Sequence, residues 1–376
     1  MAAPTEPSVY EGTAGVWRNS TLLTHTTGNF MPKFRELIFT ATPFLKSLAL
    51  AAFGKKAAIG EASFGNVTKT SGKGILFNDG GYQFEFPIFT GQATSSIIGV
   101  LDNINPEYID LSTSGAYSWK RMVIAMLMPE EYAQDNVGKA QLMSRLNNTM
   151  KTAQMTAIRD MNYSILGHSS APTGAPTGLP DLVSHTQTAT IGGIATTSTH
   201  WQNQLKTCTS VGGGGDLDRP IQLLRSMETL MLSIRSKSGS TNEQTLVGTQ
   251  GAYQYYGRAA YADTLGTRGA EKVKDYYDAS IPHLVYDSRP FIYDGAVTVP
   301  TGATASTECI YYLDYNEFGV CFKRVECFAL KNWEAPRNHD KQRYHEALIL
   351  SRFTPYVTNR RVQGVLYNLP ANPDAS

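Results

Sequence analysis

The chain has 376 residues, of which 41% are apolar, and its 33 basic and 32 acidic side chains give a formal net charge of +1. This length and apolar content are enough for one large domain or for two or three smaller ones. The balanced charge excludes the strongly basic composition of a dedicated nucleic-acid-binding protein. The longest apolar stretch is about half the ~18 residues of a membrane span, and the N-terminus lacks the pattern of a secretory signal. We therefore predict no membrane partner and a cytoplasmic location.

The four cysteines predict a reducing compartment, because a secreted chain of this size that relied on disulfides would usually carry more of them. Cys208 stands alone, and the spacings of Cys309, Cys321 and Cys327 match no zinc-binding pattern. We expect buried, unliganded thiols and no structural metal.

Residues 1–32 are predicted to form an N-terminal arm. They are rich in Thr, Ser, Gly and Pro, and they show no sustained periodicity around the isolated Tyr10 and Trp17. Such a segment cannot bury enough apolar surface on itself to offset its ordering entropy. It should be disordered alone or ordered against a neighbouring molecule.

Residues 33–71 are predicted to hold a helix and a connection. Apolar residues at helical spacing follow Pro32 and continue to about Phe53. Pro43 should kink or interrupt this helix, because proline lacks the backbone N–H and clashes with the preceding turn. Gly54 and the lysines after it indicate the C-terminus of the helix.

Residues 72–124 are predicted to form an extended two-stranded loop. Apolar and polar residues alternate over 82–88 and again over 117–123, where Tyr117, Trp119, Arg121 and Val123 share one parity. The intervening segment is too long and too polar for a tight turn. A ribbon of two strands is marginal in water unless one face is covered. We therefore predict a subunit interface from the ribbon and the arm, made of Tyr82, Phe84, Phe86, Ile88, Trp119, Met122, Tyr10 and Trp17.

Residues 125–170 are predicted to be one long helix. After Met128-Pro129-Glu130-Glu131, small or apolar residues recur every three or four positions as far as Ile165. The acidic residues near the start complement the helix dipole, and Gly167 marks the end. About 37 residues would give a rod of roughly 55 Å.

Residues 171–335 are predicted to form a second domain, with return strands, behind a linker rich in Pro and Gly. Amphipathic helices are expected over residues 217–236 and 250–264, with short strands from residue 284 onward. Residues 336–376 should add further strands and an unstructured C-terminal tail. The expected class is α+β.

Motifs of known chemistry are absent from the sequence. The Gly212–Gly215 run lacks the Lys-Ser/Thr pair of a phosphate-binding loop, the seven histidines are scattered, and there is no Gly-x-Ser-x-Gly elbow. We predict no catalytic residue, no cofactor and no metal site. Acid and base groups can still meet in space without sequence spacing, so an α/β enzyme stays open as an alternative.

The order of these parts resembles the major capsid proteins of tailed bacteriophages, which share the HK97-like capsid fold. Three stretches are similar to that family: residues 178–183 with 191–204, residues 288–294, and residues 310–313. His200 and Gln202 depart from the family, which often has an aromatic pair and a basic residue there. The resemblance implies an N-terminal arm, an extended β-hairpin loop, a long spine helix, and peripheral and axial domains.

The resemblance further implies a structural subunit that assembles into hexamers and pentamers of an icosahedral head around double-stranded DNA. The expected location is the virion, after assembly in the host cytoplasm. The expected partners are further copies of the chain, a portal protein and DNA held by weak contacts, with a decoration protein as a further candidate. A separate scaffolding protein is expected because no long charged helix precedes the first helix. An encapsulin, a cellular compartment of the same fold, is the alternative within the family.

Overall fold

A computed structural model describes residues 42–53, 73–89, 112–129, 139–185, 190–195, 201–208, 218–237, 244–262, 283–301, 308–339 and 342–369. Its helices are α1 (Pro43–Phe53), α2 (Lys139–Leu166), α3 (Leu179–Leu182), α4 (Asp218–Arg235) and α5 (Gln250–Ala262). Its strands are β1 (Ile75–Asn78), β2 (Gln83–Phe89), β3 (Ser112–Ser118), β4 (Lys120–Pro129), β5 (Gln204–Thr207), β6 (Gln244–Gly248), β7 (His283–Tyr286), β8 (Arg289–Tyr293), β9 (Glu308–Asp314), β10 (Phe318–Lys323), β11 (Ala329–His339), β12 (Gln342–Val357) and β13 (Gly364–Leu369).

A five-stranded sheet is built around the long strand β12. Strands β4, β10 and β11 pair antiparallel with β12, and β1 joins the edge of β10 in parallel. Helix α2 contributes a stripe of buried residues at helical spacing to the core beside this sheet: Met150, Ala153, Ala157, Met161 and Ile165.

The long helix ends as predicted but starts later. Leu166 is its last residue, and Gly167 follows in the left-handed region with φ 67°. Its first residue is Lys139, whereas Pro129 ends strand β4, which pairs with β12. The predicted start near residue 129 is therefore wrong. Residues 130–138 lie outside the described residues, and the 28 observed helical residues give a rod of roughly 42 Å.

Helix α1 begins at Pro43, the residue at which the predicted helix should be kinked or interrupted. Proline suits the first helical position because the N–H that it lacks would have no helical acceptor there. The N–H of Lys46 donates to the carbonyl of Thr42 at 3.0 Å, and the N–H of Phe44 donates to the buried carboxylate of Asp294 at 3.3 Å. The predicted part of this helix before residue 42 lies outside the described residues.

A six-stranded sheet has the order β5-β13-β9-β6-β8-β7. Helices α4 and α5 pack against it and form a second apolar core, which contains Leu223, Met227, Leu230, Tyr256 and Phe291. The observed bounds of α4 agree with the prediction for residues 217–236, and α5 begins at Gln250 as expected.

Strands β2 and β3 form a two-stranded antiparallel ribbon, in which Gln83 pairs with Ser118 and Phe89 with Ser112. The predicted loop over residues 72–124 was too long at both ends, because β1 pairs with β10 and residues 120–124 belong to β4. The segment 90–111 at the far end of the ribbon lies outside the described residues.

Sheet membership does not follow the predicted division at residue 335. Strand β10 precedes that boundary and lies in the five-stranded sheet, whereas β13 follows it and lies in the six-stranded sheet. The predicted boundary therefore does not coincide with a division between the two sheets, because strands pair with neighbours in space whatever their order along the chain. The division into peripheral and axial domains itself stays a prediction.

Candidate functional site

One face of the ribbon is aromatic and is buried against the same chain. Phe86 stacks on Tyr117 with ring centroids 5.5 Å apart and on Trp201 at 6.2 Å. Phe84 lies 5.1 Å from the ring of Tyr356. These rings come from the ribbon, from a position three residues before β5 and from the end of β12, so the cluster joins three distant parts of the sequence.

Backbone and hydroxyl hydrogen bonds fix the base of the ribbon. The hydroxyl of Tyr117 donates to the carbonyl of Val357 at 3.0 Å, and burial raises the pKa of Tyr117 to about 12. The N–H of Ala116 donates to the carbonyl of Gly192 at 2.9 Å. Gly192 has φ 62°, so the turn that covers this strand edge favours glycine.

The predicted interface residues divide into three groups. Phe84 and Phe86 are only 9% and 7% exposed within the single chain, so their assignment to a subunit interface is corrected: Trp201 and Tyr356 already cover them. Half-buried against the same core are Ile88, Trp119 and Met122. Tyr82 is 91% exposed and remains a predicted interface residue.

Tyr10 and Trp17, the two interface residues predicted in the arm, lie outside the described residues.

The buried guanidinium of Arg360, which lies between β12 and β13, binds groups at the end of α3 and in the segment before β5. It donates to the carbonyl of Leu182 at 2.9 Å, to Oδ1 of Asn203 at 3.0 Å and to Oγ of Ser184 at 3.3 Å. A fourth acceptor is the carbonyl of Trp201 at 3.4 Å. Desolvation lowers the pKa of Arg360 to about 10. Sequence reasoning missed this residue, because nothing in the local pattern of residues 359–363 distinguishes a buried arginine from an exposed one.

A cationic cleft lies beside the base of the ribbon. Its lining includes Gly81, Tyr82, Ser118, Trp119, Arg121, Lys323 and Arg352. The guanidiniums of Arg121 and Arg352 both reach Glu326, at 2.5 Å and 2.8 Å. Hydrogen bonding from Arg121 lowers the pKa of Glu326. The cleft therefore offers more positive than negative charge at the surface.

The β7–β8 hairpin carries a second arginine cluster at the far end of the six-stranded sheet. Asp287 and Ser288 form its turn with φ 49° and 62°, an arrangement that favours Asn, Asp or Gly. The carboxylate of Asp287 pairs with Arg235 and, at 3.1 Å, with Arg289. Desolvation and the nearby charge of Arg235 lower the pKa of Arg289. The carboxylate of Asp287 acts in the opposite direction and offsets part of this shift.

The predicted burial of the cysteines is confirmed at three positions, Cys208, Cys309 and Cys321. The fourth, Cys327, is partly buried. Burial raises the pKa of Cys321 to about 12. In the part of the chain that the structure describes, no group of three or more His, Cys, Asp or Glu residues could hold a metal ion. No helix among the described residues is long and apolar enough to span a membrane.

No protein-family model and no curated protein matches the chain. Several solved structures do match the chain. A chain of the capsid of cyanophage A-1(L) aligns with a TM-score of 0.55 at 9% sequence identity, over 78% of this chain and 90% of that chain. The chain has the HK97-like capsid fold. In this fold α2 is the long spine helix and the β2–β3 ribbon is the extended hairpin loop.

Other solved structures with the HK97-like capsid fold align with lower TM-scores and carry no part of the assignment. The mycobacterium phage Bobi structure gives a TM-score of 0.46 at 11% identity, over 84% of this chain and 96% of that chain. An encapsulin complex from Synechococcus elongatus gives 0.44 at 10% identity, over 79% and 85%.

Proposed function

We propose that this protein is the structural subunit of an icosahedral phage head, which copies of the chain build by self-assembly. The observation that carries the proposal is the fold likeness to the cyanophage A-1(L) capsid chain, which extends over 90% of that chain.

The surface of the described chain supports a role in assembly. The side of the ribbon opposite its buried aromatic face exposes Glu85 and Pro87, and Tyr82 is almost fully exposed at its start. The outer face of β4 exposes Val123 and Leu127 at 51% and 53%. Apolar side chains on projecting or sheet-face positions are typical of surfaces that other molecules cover.

The subunits should form closed rings of six and five through heterologous contacts, which close when the rotation between neighbours divides a full turn. A separate scaffolding protein, a portal protein and double-stranded DNA are the proposed partners, with a decoration protein as a further candidate. The near-neutral charge of the whole chain suits weak contacts with DNA, because strong phosphate binding by many subunits would hinder packing and release. The proposed location is the virion, after assembly in the host cytoplasm, and the proposed role is structural and not catalytic.

Electron microscopy of the purified full-length protein, with and without a scaffolding protein from its own genome, tests the proposal. We expect closed shells of hundreds of ångströms whose reconstruction contains both fivefold and sixfold rings. A stable small oligomer with enzymatic turnover would contradict the proposal and favour the α/β enzyme. Particles isolated from cells should contain double-stranded DNA, whereas a protein cargo would favour an encapsulin.

A further inference from the structure

Three cations lie in one row across three neighbouring strands of the five-stranded sheet. Phe353 of β12 pairs with Phe322 of β10 and with Lys120 of β4, so β12 lies between β10 and β4. One position further along the sheet, each of these strands carries a cation: Lys323, Arg352 and Arg121. Neighbouring strands are ~4.8 Å apart, so the backbone positions of the row extend over roughly 10 Å. Side chains in one row lie on the same face of the sheet.

A single carboxylate binds two members of this row. Glu326 accepts from Nε and Nη2 of Arg121 and from Nε of Arg352. Like charges directly opposite each other destabilise a strand pair, and one carboxylate cannot neutralise three cations. Nη1 of Arg121 and both terminal nitrogens of Arg352 are left to donate to another acceptor, and the side chain of Arg121 is 45% exposed. The row therefore has the charge and the donors to bind a further anion.

The cationic cleft that these side chains line also contains two aromatic residues, Tyr82 and Trp119, and none of the residues that line it is acidic. The ring of Tyr82 is 91% exposed and is therefore available for stacking. Trp119 packs edge-on against the buried Phe84 at 6.4 Å, which fixes that part of the lining. The volume of the cleft, about 410 Å³, lies within the range of roughly 300–1,000 Å³ that is usual for small-molecule sites.

The combination of cations and an exposed ring favours a nucleotide unit as the occupant. Guanidinium groups match the oxygens of a phosphate in geometry, and every base has a face that stacks on an aromatic ring. An acidic peptide would use the cations but would leave Tyr82 without a stacking partner. Double-stranded DNA would do the same, because its bases are stacked inside the duplex.

We propose that the cationic cleft binds a nucleotide unit whose base is unpaired. Arg121, Lys323 and Arg352 bind the phosphate, and Tyr82 stacks on the base. The unit belongs either to a single strand of nucleic acid or to a free nucleotide, since both carry this chemistry. The site goes beyond the proposed function, because a shell subunit does not require such a ligand. Since the cations are partly exposed, binding weakens as the salt concentration rises.

Fluorescence anisotropy with a labelled oligothymidylate and the unassembled full-length subunit tests the site. We expect Lys323→Gln to weaken binding about fivefold and to reduce the salt dependence by about 0.7 in slope, because one phosphate contact is lost. Lys237→Gln removes the same charge from an exposed residue beyond α4 and should leave the affinity unchanged.

The aromatic part of the site is tested at Tyr82. Tyr82→Ala should weaken binding about tenfold through the loss of stacking, whereas Tyr82→Phe keeps the ring and should bind as the wild type does. Tyr82 is also the second variant if Lys323→Gln unfolds at a lower urea concentration than the wild type, because its ring is exposed. Equal affinity of Tyr82→Ala and the wild type would overturn the inference, as would equal affinity of Lys323→Gln and Lys237→Gln.

Competition distinguishes the sources of the ligand. Displacement of the label by thymidine monophosphate would assign the site to a free nucleotide, and displacement by the unlabelled strand alone would assign it to a strand. Both results support the inference. A duplex of the same length should compete about tenfold more weakly than the strand, since its bases cannot reach Tyr82. Equal competition by the duplex, or by polyglutamate of matched charge, would overturn the inference. Because the subunits are unassembled, the result does not depend on whether shells form.

Discussion

Replacing Phe86 by alanine should destabilise the single subunit before any assembly takes place. The ring is 7% exposed, and it stacks on Tyr117 at 5.5 Å and on Trp201 at 6.2 Å. It also covers the backbone of Gly115, whose added Cβ would come within 2.5 Å of the ring. Small movements of these neighbours cannot fill the volume that the lost phenyl ring leaves.

The expected loss is roughly 3–5 kcal/mol in the free energy of unfolding, as is usual for a buried Phe→Ala change. The two stacked pairs are part of that value, at about 0.5–1.5 kcal/mol each. Urea unfolding of unassembled subunits, followed by tryptophan fluorescence, measures it, because Trp201 lies directly against the altered site.

Tyr82→Ala is the matched control, because it removes an aromatic ring from the same ribbon at a position that is 91% exposed. It should change the stability of the unassembled subunit by less than about 0.5 kcal/mol. If Phe86→Ala were equally harmless in the unassembled subunit and lowered only the disruption temperature of shells, the burial of Phe86 in its own chain would be refuted.

Three further predictions concern a buried arginine, the carboxylate in the β7–β8 turn and a buried thiol. Arg360→Ala should lower the free energy of unfolding, measured with urea, by roughly 3–5 kcal/mol, since it leaves four acceptors without their donor. A loss under about 1 kcal/mol would contradict this role. Asp287→Ala should lower the free energy of unfolding by about 1–2 kcal/mol in the same assay. Asp287→Gly should lower it by less, because glycine adopts the positive φ of this position without strain. Equal losses for the two variants would exclude backbone strain as a contribution. Burial raises the pKa of the Cys321 thiol in the folded chain to about 12. As the pH rises above 9, this thiol therefore loses its proton in the unfolded chain before it does so in the folded chain. Stability should therefore fall as the pH rises, and the contribution of Cys321 to this loss of stability should be about 1 kcal/mol between pH 8 and pH 10. A Cys321→Ala variant whose stability falls as steeply as that of the wild type would disprove the assignment.

The sequence predicted best the elements whose pattern is local. Helices α4 and α5 were found close to their observed bounds because apolar residues repeat on one helical face. The end of α2 was found because Gly167 can adopt the positive φ that the chain needs after Leu166. The order of these elements also carried the resemblance to phage capsid proteins.

The interpretation of residues 117–123 as one alternating strand failed because Trp119 lies outside both strands. Tyr117 faces the core from β3, but beyond Trp119 the chain enters β4, where Met126 faces the core and Val123 faces outward. The early start predicted for α2 failed for a related reason: the apolar run of β4 precedes the helix, and a short apolar run fits either type of element.

What covers the aromatic face of the ribbon was decided only by the tertiary structure. Phe84 and Phe86 are separated from Trp201 and Tyr356 by more than a hundred residues, and no local pattern states that such rings will meet. The same holds for Arg360, whose acceptors lie between residues 182 and 203. The sequence alone determined the order of elements and the periodic helices, because those properties depend on neighbouring residues. Burial, strand partners and the meeting of Arg121, Lys323 and Arg352 in one cleft depend on contacts between distant residues, which exist only once the chain has folded.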